Sequence, residues 1–321
     1  YGDHRDLHLS LRRQRQMCIR DRLLGESTNQ IVEGSELTFV EPNNDIFYEC
    51  EAIFFATPHG VSMNIVGSYV ERNIKIIDLS ADFRLKDINI WEEWYGSKHR
   101  EEELLSESVY GLTELNLSKI KSARLVSVPG CYPTSILLPL IPLFKKRLVK
   151  VNNIIMDSKS GYSGAGRGVH KKYKDKNLYE SLSAYGVGFH RHNSEIDQMI
   201  KKYSKQKFTF SFTPHLSPMF RGILSTIYVD LKKGKTINNL HNQLSKFYKK
   251  SKFIKIKKQN TLISTNDVIN TNNCIISVCK SKYKDKAIIV SAIDNLIKGG
   301  AGQAIQNMNI LYNFNVREGL R

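Results

Sequence analysis

The sequence predicts an α/β protein of two domains: a doubly wound, mostly parallel sheet, then an α+β domain. Three observations carry this. The chain has 321 residues, 41% of them apolar, which suits two packed cores rather than disorder. In the first part, apolar strands alternate with helical stretches, the order a parallel sheet covered on both faces requires. In the second part, strands follow one another with few helices between them, as in an antiparallel or mixed sheet.

Leu37-Thr38-Phe39-Val40 and Ala52-Ile53-Phe54-Phe55-Ala56 read as strands, the second apolar throughout and therefore central. Thr57-Pro58-His59-Gly60 is a turn into a helix over residues 61–72, and Ile74-Lys75-Ile76-Ile77-Asp78-Leu79 is the next strand, ending in Ser80-Ala81-Asp82. Ligands on such sheets sit at the carboxyl ends of strands. Pro58, His59, Ser80 and Asp82 lie at two such ends; an ordinary helix-start residue and a turn or cap acid are the plain alternatives for His59 and Asp82. Residues 91–103 read as a polar surface cover and 110–116 as a loop. Arg124-Leu125-Val126-Ser127-Val128 returns to the sheet. The apolar run 136–144 contains Pro139 and Pro142, which predicts a kinked or short helix. Further strands are expected over 151–157, 207–213, 222–231, 274–279 and 286–293, with helices over 237–249 and 302–312.

Composition excludes several classes. No apolar run approaches the roughly 18 residues of a membrane span, so no membrane role is expected. The five cysteines are irregularly spaced, without a C-x-x-C or Cys/His metal pattern, which points to a reduced, cytoplasmic protein without structural metal. The net charge of +17 comes from scattered lysine pairs. No aromatic-interleaved or recognition-helix pattern accompanies them, so nucleic acid is not expected as a partner, although a positive field steers anionic small molecules. Residues 1–22 lack a starting Met, are rich in Arg, and include Gln16-Met17-Cys18-Ile19-Arg20-Asp21, which resembles translated sequencing adapter. The expectation is a non-native head.

The chemistry is expected at Gly130-Cys131-Tyr132-Pro133-Thr134-Ser135. A strand feeds Pro129-Gly130, and Pro133 suits the first turn of a helix. Cys131 then lies at a helix N-terminus, where backbone N–H groups and the macrodipole favour an anion and a thiol can drop to a pKa of about 3.5–7.5. Spacing alone balances this nucleophile against a small buried hydrophobe. For acid–base work, His190-Arg191-His192-Asn193-Ser194-Glu195 offers two imidazoles. Glu195 falls on the same helical face as His192 and can orient an imidazole or substrate, or serve as a first-turn acid. The glycine-rich loop with Ser163 and Arg167 suits an anion, Arg221 is a further anion grip, and Asn295, Gly300 and Gln303 precede the last helix.

Six segments, in order, resemble the N-acetyl-gamma-glutamyl-phosphate reductase family: Ala56-Thr57-Pro58-His59-Gly60, Asp78-Leu79-Ser80-Ala81-Asp82-Phe83-Arg84, Ser127-Val128-Pro129-Gly130-Cys131-Tyr132-Pro133-Thr134, Ser160-Gly161-Tyr162-Ser163-Gly164-Ala165-Gly166-Arg167, His190-Arg191-His192-Asn193-Ser194-Glu195-Ile196, and Asp294-Asn295-Leu296-Ile297-Lys298-Gly299-Gly300-Ala301-Gly302-Gln303-Ala304. The resemblance covers about residues 25–321. It implies a Rossmann-like nucleotide-binding domain with a second α+β domain for substrate binding, catalysis and dimerisation. The expected division is 23–130 with 295–321 for NADP and 131–294 for catalysis. It further implies NADPH-dependent reduction of an acyl phosphate through a Cys131 thioester, in arginine biosynthesis. His190 would move the proton, with His192 as the second choice. Ser163, Arg167 and Arg221 would face the substrate, and Pro58, His59, Ser80, Asp82, Asn295, Gly300 and Gln303 the NADP. A homotetramer or dimer is implied. Ser194 stands where the family pattern has Pro. No G-x-G-x-x-G pattern precedes Cys131, so the expectation is that a first βαβ unit is missing or replaced. The rivals are a related aminoadipyl or aspartyl acyl-phosphate dehydrogenase, an inactive remnant, and a basic nucleic-acid binder.

Overall fold

The computed structural model describes residues 40, 45–165 and 180–321. The expected strand at 37–40 and the 1–22 head lie outside the described residues, apart from Val40. The chain divides into two compact units. One runs up to Val128 and includes Ala304–Gly319; the other comprises Pro129–Gln303 with Leu320–Arg321.

The first unit contains a parallel sheet of β1 (Ala52–Phe55), β2 (Lys75–Asp78), β3 (Val109–Tyr110) and β4 (Leu125–Ser127), in the order β1-β2-β4-β3. Side chains alternate between its faces, and both faces are buried. Ile53, Phe55, Ile76 and Leu125 join one cluster with Val66, Phe83, Trp91 and Leu105. Ala52, Ile77 and Val128 pack on the other face against Ala304 and Met308 of the last helix, α8 (Gly302–Leu311). That is why these strands read as continuous apolar runs.

The expected helix over 61–72 is broken into a 3₁₀ turn, Ser62–Asn64, and a shorter α1, Val66–Glu71. The Asp82 carboxylate captures the Gly60 and Met63 N–H groups, which holds the chain in a tight turn before the helix starts. The expected surface cover at 91–103 is also corrected. Trp91 is fully buried in α2 (Ile88–Tyr95) and donates from Nε1 to Ala81 O. Asp87 caps that helix through the Asn89 and Ile90 N–H groups, and Gly96 ends it at φ 68°. After α3 (Glu102–Glu107), the expected loop at 110–116 is the end of β3 and the start of α4 (Thr113–Ile120).

The second unit opens with α5 (Cys131–Lys145), a helix of 15 residues with Pro139 and Pro142 inside it. It is longer than its prolines predict. Pro142 has no N–H for the carbonyl of Leu138, and the buried Tyr248 hydroxyl donates to that carbonyl instead, at 2.6 Å. Tyr132 to Phe144 are all buried. The helix lies on a mixed sheet of β5 (Ile154–Gly161), β6 (Ser183–Ala184), β7 (Phe210–Ser217), β8 (Ile223–Asp230), β9 (Ile254–Ile256), β10 (Cys274–Lys280) and β11 (Lys286–Ile293), in the order β6-β7-β5-β8-β11-β10-β9. α6 (His192–Ser204) packs on α5, and α7 (Ile237–Phe247) on α5 and β10. β5 begins three residues later than the pattern suggests, because Asn153 turns the chain at φ 59°. β7 is displaced likewise and runs through Pro214.

Candidate active site

The strand–turn–helix at Ser127–Cys131 puts Cys131 at the first position of α5, partly exposed, with Gly130 as the residue before it at φ −63°, ψ 154°. The Thr134 N–H and hydroxyl both donate to Gly130 O, each at 2.9 Å. Glu195, buried in the first turn of α6, accepts the Gly130 N–H at 2.9 Å. A charged acceptor on a buried N–H makes a strong hydrogen bond, so the start of the cysteine helix is held from a second helix.

Two glycines allow close approach at the start of this helix. A Cβ on Gly130 would stand 2.4 Å from His192 Nε2, so the imidazole rests on the Gly130 Cα. A Cβ on Gly299, in the π-helical turn Ile297–Ala301, would stand 2.7 Å from the Cys131 Cβ. Any side chain at either place displaces the site.

Behind them lies an aromatic box. Tyr132 meets His190, His192 and Phe212 edge to face at 5.6, 5.8 and 5.3 Å. His190 Nδ1 accepts the His192 N–H at 3.1 Å. Burial, aided by the Arg191 charge, pushes His190 down to about 4. With Nδ1 accepting, its proton sits on Nε2. The Tyr185 hydroxyl donates to Tyr132 Oη at 3.0 Å and Tyr132 donates to His215 O at 3.3 Å; burial, with Tyr185 beside it, pushes the Tyr132 phenol far above its usual range.

The glycine loop after β5 is laced to the chain before β8. The N–H groups of Gly161, Tyr162 and Ser163 donate to the carbonyls of Gly222, Met219 and Phe220. The Asn295 amide braces both strands of this lacing, accepting the Gly222 N–H at 2.6 Å and donating to Ser163 Oγ at 3.0 Å. Arg221 pairs with the fully buried Asp294 at 3.5 Å and donates to Asn270; its Nε is buried without a hydrogen-bond partner among the described residues.

In the first unit, Pro58 and His59 are exposed at the carboxyl end of β1, with His59 against the Tyr95 ring at 5.4 Å. Thr57 Oγ1 is buried there with no partner among the described residues. Ser80 and Asp82 are buried and bonded within their own turn, to Ser62, Asp78, Gly60 and Met63. Among the described residues, no group of three or more His, Cys, Asp or Glu is placed to hold a metal, and no helix is long and apolar enough to cross a membrane.

Comparisons with known proteins identify the family and the fold. Two family models match in tandem: "Semialdehyde dehydrogenase, NAD binding domain" over residues 13–123 and "Semialdehyde dehydrogenase, dimerisation domain" over residues 131–295. The N-acetyl-gamma-glutamyl-phosphate reductase of Vesicomyosocius okutanii is 48% identical over 285 residues, covering 89% of this chain and 82% of that protein. A probable chloroplastic enzyme of that name from Arabidopsis thaliana is 45% identical over 308 residues, 94% and 76% of the two chains. The chain belongs to the N-acetyl-gamma-glutamyl-phosphate reductase family. Solved structures share the fold at low identity. Aspartate semialdehyde dehydrogenase II of Vibrio cholerae, complexed with ASA, superposes with a TM-score of 0.66 at 13% identity, covering 91% and 88% of the chains. The Candida albicans aspartate semialdehyde dehydrogenase with NADP gives 0.63 at 14%, covering 93% and 90%.

For this reductase-family chain, the structure brings Cys131, His192, His190 and Glu195 into one cluster, and Ser163, Arg221 and Asn295 into another, both in the second unit. Arg167 lies outside the described residues. The structure places the other expected residues as follows. The Ser80 and Asp82 side chains hydrogen-bond within the turn. Asn295 is a brace, with both ends of its amide engaged. Asn295, Gly300 and Gln303 belong to the second unit, with Gln303 fully buried. Arg221 is committed to Asp294 on one side. The sequence reading took the Gly299-Gly300 run for a cofactor-side loop and missed that Gly299 meets Cys131, as it missed the role of Gly130. The glycine run was its only signal, and it does not say which glycine meets the thiol.

Proposed function

We propose that this chain reduces N-acetyl-gamma-glutamyl phosphate to N-acetyl-glutamate 5-semialdehyde with NADPH, a step of arginine biosynthesis. The observation that carries the reading is Cys131 at a helix N-terminus, with His192 resting on the preceding glycine. The Cys131 thiolate attacks the acyl carbon, the bond to the phosphate oxygen breaks, and a thioester remains on Sγ. NADPH, when bound, supplies the two electrons and the hydrogen that reduce the thioester carbon. The tetrahedral oxyanion left on the thioester carbon takes up a proton from an acid–base group and returns it as the C–S bond breaks, releasing the aldehyde and the thiolate.

We assign that proton to His192. His190 is a poor base at neutral pH, since burial holds it near 4 and its Nδ1 is engaged; its task is to orient the His192 backbone. Glu195 fixes the start of the cysteine helix. Ser163 and Arg221, on two laced segments, are assigned to the anionic part of the substrate.

The first unit fits a dinucleotide at the carboxyl ends of β1 and β2, where Pro58 and His59 are exposed and the Thr57 hydroxyl lacks a partner among the described residues. These residues would hold it. The second unit supports a homo-oligomer. Ile155 and Tyr228 stand exposed on the sheet face opposite α5, and the matching family model is that of a dimerisation domain. The irregular cysteine spacing, without a C-x-x-C pattern, supports a reducing, cytoplasmic setting.

The test is phosphate-dependent oxidation of N-acetyl-glutamate semialdehyde, followed by NADPH absorbance, on the chain and on Cys131→Ala. Activity that survives Cys131→Ala overturns the assignment.

A further inference from the structure

The motif Asp78-Leu79-Ser80-Ala81-Asp82 takes no part in the chemistry above, and its Asp78, Ser80 and Asp82 side chains form one buried cluster with Ser62. Ser80 Oγ stands 2.7 Å from Asp78 Oδ2 and 2.9 Å from Ser62 Oγ. Ser62 Oγ stands 2.9 Å from Asp82 Oδ2. Backbone N–H groups supply the rest: Ser80 to Asp78 Oδ1 at 2.8 Å, Asp82 to Ser80 Oγ at 3.1 Å, Gly60 to Asp82 Oδ1 at 2.7 Å and Met63 to Asp82 Oδ2 at 3.1 Å.

The line Asp78, Ser80, Ser62, Asp82 therefore has three oxygen–oxygen contacts, and each needs a proton of its own. The two serines supply one each. We propose that Asp78 is a positioning residue that carries the third proton as a neutral carboxylic acid and so fixes the turn after β1. Asp78 donates to Ser80, Ser80 to Ser62, and Ser62 to ionised Asp82, which holds the Gly60 and Met63 N–H groups. The diagonal Ser62–Asp78 contact, 3.2 Å, is the longest of the four side-chain contacts and so the weakest. The turn so held is the one that presents Pro58 and His59.

Burial agrees with the proton count. Asp78 is fully buried, and burial above all, with the charge of Asp82, pushes its carboxyl up to about 7, while bonds from Ser80 and the charge of Arg84 oppose the rise. The groups facing it are Ser62 from the 3₁₀ turn, Ser127 from β4, and Ser80, Asp82 and Arg84 from its own loop; Arg84 also donates to Leu79 O, and His99 Nε2 meets the Asp82 carbonyl. Loss of the proton leaves two hydroxyl oxygens facing each other without one and places two carboxylates in one buried cluster. The turn loosens as pH rises through neutrality.

The test compares the full chain with Asp78→Asn, which keeps a donor in that place at every pH. Thermal unfolding without cofactor, from about pH 5 to about pH 8.5, reads the proton directly. The folded carboxyl binds a proton that the unfolded one has already released. Native Tm therefore falls relative to that of Asp78→Asn until about neutrality and then levels. Parallel Tm curves overturn the proposal. One further readout rests on the NADPH assignment above. By nicotinamide fluorescence, the native Kd rises about tenfold more than that of the variant over the same range. Diverging Tm curves without NADPH binding at any pH support the proton on Asp78 and refute the cofactor reading. If Asp78→Asn does not fold, infrared spectra of the native chain show a protonated carboxyl band that vanishes through neutrality, with its midpoint displaced in Ser80→Ala. Absence of that band at about pH 6 overturns the proposal.

Discussion

Gly130→Ala tests the site with one added methyl group. Its backbone angles, φ −63° and ψ 154°, are ordinary for any residue, so alanine brings no backbone strain. Its Cβ would stand 2.4 Å from His192 Nε2 and 2.8 Å from Cε1. Non-bonded carbon and nitrogen rest at about 3.5 Å, so the ring or the helix start must move by about 1 Å. A misplacement of that size in a reacting group costs about 10²-fold in rate, or about 2.7 kcal/mol of barrier. We expect kcat/KM for the semialdehyde to fall about 100-fold while NADPH affinity stays unchanged, because the change lies in the second unit. Overpacking also costs about 1–3 kcal/mol of stability, read as a lower Tm. A double-mutant cycle isolates the cause. In a His192→Ala background, Gly130→Ala should cost little more, since the clash has gone. Gly130→Ala within about threefold of native activity, or a full additional loss in the His192→Ala background, would refute the placement of His192.

Other outcomes follow from the same geometry. Glu195→Gln keeps the shape but weakens the bond to the Gly130 N–H, and we expect kcat to fall about 10-fold with the substrate KM nearly unchanged, read by steady-state kinetics. His190→Phe should flatten the acid side of the stability profile. The folded pKa of about 4 lies below the ordinary 6.5, so His190 contributes stability above about pH 6.5 that is lost as pH falls toward 4, up to about 3 kcal/mol by urea unfolding. Tyr248→Phe leaves the Leu138 carbonyl, already deprived of an N–H by Pro142, without its donor at 2.6 Å; we expect a loss of about 1–2 kcal/mol and a Tm lower by several degrees.

Much of the first unit was legible in the sequence. Ala52-Ile53-Phe54-Phe55 and Ile76-Ile77 are apolar on successive residues because the sheet is buried on both faces, a local pattern with one structural meaning. The buried α2 was missed although Asp87 and Gly96 mark its ends, because the charged residues around Trp91 hid the one face that packs. In the second unit β8, β10 and β11 fall within one residue of expectation, whereas β5 was placed three residues early, since Asn153 ends its turn in a conformation that no apolar pattern announces, and β7 was displaced likewise.

The sequence alone determined that Cys131 opens a helix, because the glycine before it and the proline two positions on act through neighbouring backbone. It also determined the order of the two sheets, because strand periodicity is local. The tertiary structure alone decided what surrounds the thiol. Glu195 reaches Gly130 across 65 positions, Gly299 meets Cys131 from the far end of the chain, and Ser62 joins Asp78, Ser80 and Asp82 in a single line. Such contacts depend on sheet register and helix orientation, which global packing sets. Residue spacing along the chain fixes only which groups share a face, and not which distant group they meet.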